Sequence, residues 1–253
     1  MKLETGISAI VTGGASGLGN AVARALIAQG VAVTILDLDA QRGAKAAQDI
    51  GATFAQADVS NAESVTTALA AARAANGQER ICSNCAGIAP AAKTVGRNGV
   101  HDLQLFQTVI NVNLVGSFNV ASQSAAGMIA AGFDATCAGV IIHTASIAAY
   151  EGQIGQVAYA ASKGGIAGLT LPMARDLARD KIRVMAIAPG IFGTPMVTAM
   201  SQDIQDALAA GIPNPARLGD PSEFAALAMH IIENDFLNGS VIRLDGAARL
   251  APK

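Results

Sequence analysis

The chain has 253 residues, of which 51% are hydrophobic and 14% charged, and its formal net charge at pH 7 is −2. That length allows one large α/β domain or two small ones, and the near-neutral charge offers no basic surface to nucleic acid or an anionic membrane. No apolar run approaches the roughly 18 residues that span a bilayer. The amino terminus lacks a signal-peptide layout, so we expect a cytoplasmic protein with small-molecule partners and no membrane contact.

Short apolar runs rich in β-branched residues alternate with longer alanine-rich segments, which predicts strands separated by helices. The predicted strands are 7–12, 31–36, 52–57, 79–84, 139–145, 181–188 and 240–244. The predicted helices lie near 17–29, 40–50, 61–75, 102–131, 155–178 and 221–233. Near-continuous apolar strands with helical crossovers indicate a parallel sheet covered on both faces. We therefore predict the α/β class, with residues 1–253 forming a single doubly wound Rossmann-type domain around a seven-stranded sheet.

A glycine-rich turn follows the first predicted strand. The stretch TGGASGLG, residues 12–19, precedes a predicted helix. Gly13, Gly17 and Gly19 permit a tight turn and close approach of the backbone to a phosphate, and a helix start offers free N–H groups and a positive dipole end. The spacing is G-x-x-x-G-x-G, and its position between strand and helix indicates a dinucleotide site.

Asp37 ends the second predicted strand and indicates NAD as the cofactor. A carboxylate there accepts hydrogen bonds from the adenosine ribose hydroxyls and repels the extra phosphate of NADP. Arg42 points the other way, because its guanidinium could bind that phosphate. Further residues end the third and fourth strands at the same edge of the sheet, where they are expected to flank the adenine and the ribose: Asp58, Val59, Asn84, Cys85, Ala86 and Gly87.

Ser146, Tyr159 and Lys163 suggest acid–base chemistry at an oxygen. Tyr159 and Lys163 lie four residues apart in a predicted helix, so they share one face. A nearby ammonium favours the phenolate and lowers the pKa of the tyrosine toward working pH. The phenol could then exchange a proton with an alcohol or a carbonyl oxygen, which Ser146 could also hold. The alternative is an ordinary surface tyrosine and lysine on an amphipathic helix.

Cys82 and Cys85 form a C-x-x-C, a spacing found in redox and zinc sites. They follow a predicted strand and do not lie at a helix start, which would lower a thiol pKa. The sequence holds no second C-x-x-C, and its three histidines are His101, His143 and His230. A four-ligand zinc site is hard to assemble from that set, so we expect reduced structural thiols and no metal.

Residues 190–220 interrupt the alternation of strand and helix. The stretch follows the sixth predicted strand and contains several glycines and prolines around a short helical piece. Long excursions at the carboxyl end of a parallel strand tend to carry function, and ligands bind at that edge of the sheet. We interpret residues 190–220 as a substrate loop.

Together these motifs resemble the short-chain dehydrogenase/reductase family along the whole chain. The matching segments are TGGASGLG, Asp58-Val59, NCAG at 84–87, Asn113 in VNLVG, Ser146, the Tyr159-x-x-x-Lys163 pair and Pro189-Gly190. The resemblance implies the strand order 3-2-1-4-5-6-7, an NAD-dependent oxidoreductase and a homotetramer.

The resemblance also implies a role at each matching position. Tyr159 would be the general acid/base, Lys163 would hold the nicotinamide ribose and lower the pKa of Tyr159, and Ser146 would bind the reacting oxygen. Asn113 would support a water molecule that links Lys163 to solvent. Implied cofactor contacts are Gly13, Ser16, Gly17, Leu18, Gly19, Asp37, Asp58, Val59, Asn84, Cys85, Ala86, Gly87, Tyr159, Lys163, Pro189, Gly190, Phe192 and Thr194. Implied substrate contacts are Ser146, Gln153, Gln156 and Tyr159.

The substrate is implied by similarity to family members that act on straight-chain (S)-3-hydroxyacyl-CoA and 3-ketoacyl-CoA, which suggests fatty acid metabolism. Lys93 and Arg97, in an inserted loop at 90–101, could meet the phosphates of CoA or could be solvated loop charges. One alternative is a dehydrogenase of hydroxysteroids or other small secondary alcohols. Another is a non-catalytic NAD-binding scaffold, against which the intact site residues argue.

His143 departs from the family pattern, which usually has asparagine there. The change could alter a hydrogen bond to the strand that carries Asn84. It also places a histidine three residues before Ser146, which raises a Ser–His hydrolase as a further alternative. No G-x-S-x-G elbow surrounds Ser146, and the glycine-rich turn would be unexplained in a hydrolase.

Overall fold

Strands and helices alternate along the chain as the apolar pattern predicts. The computed structural model describes residues 1–97 and 99–252; Asn98, within the inserted loop, and Lys253 lie outside the described residues. The strands are β1 (Ser8–Thr12), β2 (Ala32–Asp37), β3 (Thr53–Gln56), β4 (Ile81–Asn84), β5 (Val95–Gly96), β6 (Gly99–Val100), β7 (Gly139–Thr144), β8 (Ile182–Pro189) and β9 (Val241–Leu244). The α-helices are α1 (Gly17–Ala28), α2 (Ala40–Ile50), α3 (Ala62–Asn76), α4 (Leu103–Ile110), α5 (Gly116–Ala131), α6 (Ala148–Glu151), α7 (Val157–Asp176), α8 (Pro195–Thr198), α9 (Gln202–Ala210) and α10 (Pro221–Glu233).

Seven strands form one parallel sheet in the order β3-β2-β1-β4-β7-β8-β9. Counted without the small β5–β6 hairpin, this is the predicted order 3-2-1-4-5-6-7, and the predicted α/β class is confirmed. The order reverses between β1 and β4, and ligands of open α/β sheets bind beyond the carboxyl ends of the strands at such a point. The glycine turn and the NCAG loop therefore lie where a dinucleotide would bind.

Helices cover both faces of the sheet because successive strand residues point in opposite directions. Ala9 and Val11 of β1 pack in the core beneath α1 and α10, whereas Ile10 packs in the core with residues of α3 and α5. Phe224 of α10 is fully buried on the first face. Burying one such side chain contributes about 1.5–3 kcal/mol, so these two layers fix the position of every loop at the carboxyl edge.

Four features were not predicted. The predicted helix 102–131 is divided by a π-helical turn at Asn111–Val115. Residues of the inserted loop pair as the antiparallel β5–β6 hairpin. The short helix α6 follows Ser146, and the predicted substrate loop contains two helices, α8 and α9, where one short helical piece was expected. Across residues 1–97 and 99–252, no helix is both long enough and apolar enough to be a membrane span.

Candidate active site

The glycine turn brings backbone atoms unusually close together. Gly13 and Gly17 have φ values of +63° and +55°, which side chains with a Cβ rarely adopt. A Cβ added at Gly19 would lie 2.4 Å from the Gly13 carbonyl oxygen, and one added at Gly13 would lie 2.9 Å from Ala86 Cα. Ser16, the N-cap of α1, makes no side-chain hydrogen bond to the first turn. The backbone donors at the helix start are therefore not capped by the Ser16 side chain, which fits the phosphates of a dinucleotide.

Asp37 lies beside this turn at the end of β2. Its carboxylate accepts hydrogen bonds from Ala15 N and Asp39 N, each at 3.2 Å, and only 9% of its side chain is exposed. The guanidinium of Arg42 lies 3.5 Å from Asp37 Oδ1. Arg42 therefore faces the acid that would bind a ribose.

Thr12 supports the NCAG loop and was not identified from the sequence. Its Oγ1 accepts hydrogen bonds from Cys85 N and Ala86 N, both at 3.1 Å. Asn84 ties the same loop to α5 by donating to Ser117 O at 3.3 Å. A threonine that ends the first strand of a sheet gives little local signal, because its importance depends on where β4 ends.

Asp58 and Val59 lie on the loop after β3. The Asp58 carboxylate accepts hydrogen bonds from Ser60 N at 2.9 Å and from Ser60 Oγ at 2.7 Å. Val59 packs against α5, since a Cβ added at Gly116 would lie 2.6 Å from Val59 Cγ2. The structure therefore orders both residues at the carboxyl edge of the sheet.

Lys163 and Tyr159 lie on one face of α7, as their spacing predicts. Lys163 Nζ is buried, donates to Thr144 O at 2.7 Å and lies 5.7 Å from the centroid of the Tyr159 ring. Burial lowers the pKa of Lys163 to about 8. Thr144 was not identified from the sequence, because a backbone acceptor leaves no residue-type signal.

The pKa of Tyr159 does not follow the prediction. Burial raises the pKa of the phenol above its ordinary value, and the hydrogen bond with Ser146 acts in the opposite direction. The Lys163 ammonium donates to the Thr144 carbonyl and lies 5.7 Å from the centroid of the ring. The three predicted side chains are therefore brought together, but the protein alone does not make the phenol acidic.

Asn113 occupies the π-helical turn and is fully buried. Its Oδ1 accepts from Ile88 N at 2.8 Å, and its Nδ2 donates to Ile88 O at 2.9 Å and to Ser162 Oγ at 3.1 Å. A Cβ added at Gly87 would lie 3.2 Å from Asn113 Oδ1 and 3.7 Å from Lys163 Nζ. Asn113 therefore fastens the loop after β4 to α7, close to the ammonium.

The segment after β8 joins the sheet edge to the glycine turn. Pro189 O accepts from Ile147 N at 3.1 Å, and Gly190 N donates to Leu244 O at 2.9 Å. A Cβ added at Gly17 would lie 3.4 Å from Thr194 Cγ2. Phe192 is buried edge-on against Phe224. Its ring packs in the core, so only the backbone of Phe192 would be available to contact a cofactor.

Gln153 and Gln156 lie in the segment between α6 and α7. Gln156 Oε1 accepts from Gln153 N at 3.0 Å, and Gln153 Nε2 donates to Ala251 O at 2.9 Å. Both amides are therefore engaged within the protein, on the stretch that leads into the helix of Tyr159.

His143 does not pair with Ser146. Its Nδ1 lies 3.4 Å from Asn84 Nδ2, as expected from the register of β4 with β7, while Ser146 Oγ accepts from Ala148 N at 3.1 Å. Burial lowers the pKa of His143 to about 4, and the charge of Lys163 adds to that shift. The imidazole is neutral at pH 7 and is placed as a partner of Asn84, which gives the hydrolase alternative no support.

The C-x-x-C cysteines are free thiols. Burial raises the pKa of Cys82 to about 12 and also raises that of Cys85, so neither is an activated nucleophile. Within the described ranges, no cluster of three or more histidine, cysteine, aspartate or glutamate side chains could hold a metal ion.

Comparison with known proteins extends the likeness across the chain. The family described as short chain dehydrogenase matches residues 8–205. The 3-hydroxyacyl-CoA dehydrogenase type-2 of Bos taurus is 52% identical over 252 residues, covering 98% of this chain and 97% of that protein. The protein of the same name from Drosophila melanogaster is 47% identical over 249 residues, with coverage of 96% and 97%. The crystal structure of 3-hydroxyacyl-CoA dehydrogenase type-2 from Mycobacterium avium has a TM-score of 0.91, 44% identity and 98% coverage of both chains.

Proposed function

Because the chain belongs to the short-chain dehydrogenase/reductase family and is thus an NAD(P)-dependent oxidoreductase, we propose that it interconverts (S)-3-hydroxyacyl-CoA and 3-ketoacyl-CoA with NAD. The observation that carries the proposal is the 52% identity to a 3-hydroxyacyl-CoA dehydrogenase over 98% of the chain. The Ser146 hydroxyl, which acts against the rise in the pKa of Tyr159, and the buried Lys163 on the same helix as Tyr159 agree with that chemistry.

Tyr159 moves the proton in this proposal. When the ketone is reduced, the phenol donates its proton to the developing alkoxide; when the alcohol is oxidised, the phenolate takes the hydroxyl proton. Ser146 donates a hydrogen bond to the same oxygen, and such a preorganised donor acts most strongly where charge develops. The bound cofactor supplies the hydride acceptor or donor, and its oxidised ring is positively charged. Lys163 adds a second positive charge that opposes the cost of a buried phenolate.

Asp37 supports NAD over NADP. Its carboxylate is fixed at the end of β2 by two backbone donors, where it would accept from ribose hydroxyls and repel a 2′-phosphate. Arg42 lies against this carboxylate, so the positive charge of Arg42 is partly offset as long as Asp37 is present.

The CoA part of the substrate is supported by the inserted loop. Lys93 and Arg97 are exposed, and the loop is anchored beside the site because Ala92 N donates to Gly155 O at 2.8 Å. Two solvated cations near the entrance would favour the phosphates of CoA. A hydroxysteroid would gain nothing from them.

We also propose that the whole chain is one domain that assembles as a cytoplasmic homotetramer. Apolar side chains remain exposed along two long helices: Val115 at 44% just before α5, Phe118 at 52% on α5, and Val157 at 42% and Leu171 at 43% on α7. Phe236, after α10, is 99% exposed. Exposed apolar patches of this kind mark subunit interfaces, and sedimentation equilibrium measures the assembly directly.

The activity is tested by following NADH absorbance with acetoacetyl-CoA, longer 3-ketoacyl-CoA thioesters and a ketosteroid. We expect turnover of the thioesters. In the variant Lys93→Glu/Arg97→Glu, the KM for acetoacetyl-CoA should rise by about tenfold. The reason is that attraction between an exposed charge and a nearby phosphate is worth on the order of 1 kcal/mol, and the variant replaces attraction by repulsion. The KM for a ketone without CoA should not change.

Lys45→Glu, at an exposed position of α2, is the matched control. Equal effects of the double variant on both kinds of ketone would contradict a CoA role for the inserted loop, and a preference for the ketosteroid would favour the hydroxysteroid alternative.

A further inference from the structure

A short segment joins the residues that would face the substrate. Residues 151–156 follow Ser146 along the chain and lead into α7, which carries Tyr159. On one side the inserted loop holds this segment, because Ala92 N donates to Gly155 O at 2.8 Å. The position of the segment therefore bears on both groups that would contact the reacting oxygen.

The other side of the segment is held by the C-terminal tail, residues 249–252. Ile154 N donates to Pro252 O at 2.9 Å, and Gln153 Nε2 donates to Ala251 O at 2.9 Å. Both acceptors are backbone carbonyls at the end of the chain. They can hold the segment only while the tail itself is fixed.

Glu151 is the side chain that fixes the tail. Its carboxylate accepts from Arg243 Nη1 at 2.7 Å and Nη2 at 3.2 Å, lies 3.3 Å from Arg249 Nε, and accepts from Leu250 N at 3.3 Å. The side chains of Glu151 and Arg243 are 22% and 26% exposed. The hydrogen bonds from Arg243 are the main reason that the pKa of Glu151 lies below its usual range. A bidentate, partly buried pair within a charge network is stronger than an isolated surface pair.

We propose that Glu151 is a positioning residue for the ketone or alcohol substrate, acting through the C-terminal tail on residues 151–156. The inference rests on the proposed function for the identity of that substrate. Loss of the carboxylate would remove the hydrogen bond of Leu250 N and one of the two ion pairs of Arg249, which keeps its contact with Asp245. The tail that accepts from Ile154 would then be held less firmly. The Glu151 side chain makes no hydrogen bond to the glycine turn or to Asp37 among the described contacts. Its loss should therefore weaken substrate binding and spare cofactor binding.

The test compares Glu151→Gln, Arg249→Gln and Glu151→Asp with the control Glu63→Gln, at an exposed position in the first turn of α3. Arg249 is 60% exposed, so its variant removes the tail contact with little risk to folding. We expect Glu151→Gln to raise the KM for acetoacetyl-CoA by about tenfold, the loss of roughly one or two hydrogen bonds. Arg249→Gln should give a smaller rise, and Glu151→Asp should restore part of the affinity. The KM for NADH should stay within about twofold in all variants.

Hydrogen exchange of the Ile154 and Leu250 amides gives a second readout that needs no turnover. Both amides should exchange at least about tenfold faster in Glu151→Gln. Unchanged exchange and an unchanged KM for the ketone would overturn the inference, as would an equal rise in both KM values. If the unmodified protein does not reduce acetoacetyl-CoA, the proposed substrate fails by itself. The KM comparison is then made with the ketone that is turned over, while the exchange experiment stands unchanged.

Discussion

The cofactor side and the substrate side of this site are held by different kinds of interaction. On the cofactor side, backbone meets backbone: Gly13 faces Ala86, Gly19 faces the Gly13 carbonyl, and the loop amides donate to Thr12. On the substrate side, side chains set the geometry, with Glu151 holding the tail through two arginines. Where backbone packs against backbone, one added carbon atom disrupts the geometry. Where side chains set the geometry, substitutions alter binding gradually.

The largest expected effect is on the substrate side and leaves the cofactor side intact. Tyr159→Phe should lower kcat by at least about a hundredfold, because it removes the proposed general acid/base. NADH affinity, measured by fluorescence titration, should change by less than about threefold. Tyr150→Phe is the matched control, since Tyr150 is the other tyrosine of the chain and is 53% exposed. Retained turnover in Tyr159→Phe would refute the assignment.

Adding one methyl group should damage the cofactor side. In Gly19→Ala the new Cβ would lie 2.4 Å from the Gly13 carbonyl oxygen, and overpacking of this kind costs about 1–3 kcal/mol. We expect weaker NADH binding and a lower Tm. Gly168→Ala, on α7 with nothing within 4 Å of its added Cβ, should instead raise Tm slightly, because alanine favours helix. Similar behaviour of the two variants would contradict a special role for close backbone approach.

Asp37 contributes a side chain to the cofactor side. Its removal should affect the selectivity for NAD over NADP more than the affinity for NAD. In Asp37→Ala the preference for NAD over NADP should narrow by about tenfold, since the repelling carboxylate is gone and Arg42 is released. The ratio of kcat/KM values for the two cofactors measures this. Asp49→Ala, at an exposed position near the end of α2, is the control. A preference for NADP in the unmodified enzyme would contradict the assignment of NAD.

The smallest effect concerns the pH dependence of stability. The pKa of Lys163 falls from 10.5 to about 8 on burial, so between these values the unfolded chain binds more protons and stability rises with pH. From pH 8 to 9.5 the unmodified protein should gain about 1–2 kcal/mol of unfolding free energy relative to Lys163→Met. Urea unfolding at each pH measures the difference, and Lys45→Met controls for loss of an exposed lysine. No change in the difference would mean that Lys163 titrates normally.

Much of the fold and the composition of the site could be predicted because both depend on local patterns. Apolar runs predicted the seven strands. Because parallel strands bring their carboxyl ends to one edge of the sheet, they also predicted that Gly13, Asp37 and Ser146 lie at that edge. The Tyr159–Lys163 pairing followed from helical spacing. Family resemblance added the strand order and Asn113, which periodicity alone does not give.

The rest depends on contacts between distant parts of the chain. The role proposed for Glu151 depends on its contacts with Arg243 and Arg249, about a hundred residues away, and no local sequence pattern predicts such contacts. The raised pKa of Tyr159 reflects burial, which spacing does not report. For the same reason, the acceptor at Thr144 could be found only from the folded chain.

The π-helical turn at Asn111–Val115 determines how the side chains of α4 are rotated about the helix axis relative to those of α5. There, Gly116 N donates to Asn111 O, five residues back rather than four. The turn therefore contains one residue more than a regular α-helical turn. Each residue of an α-helix advances the direction of a side chain by about 100°. Deleting one residue from the turn would rotate either the Asn113 side chain or the side chains of α4 by that angle. The sequence from α4 to α5 can therefore change in composition, but not in length, across the π-helical turn.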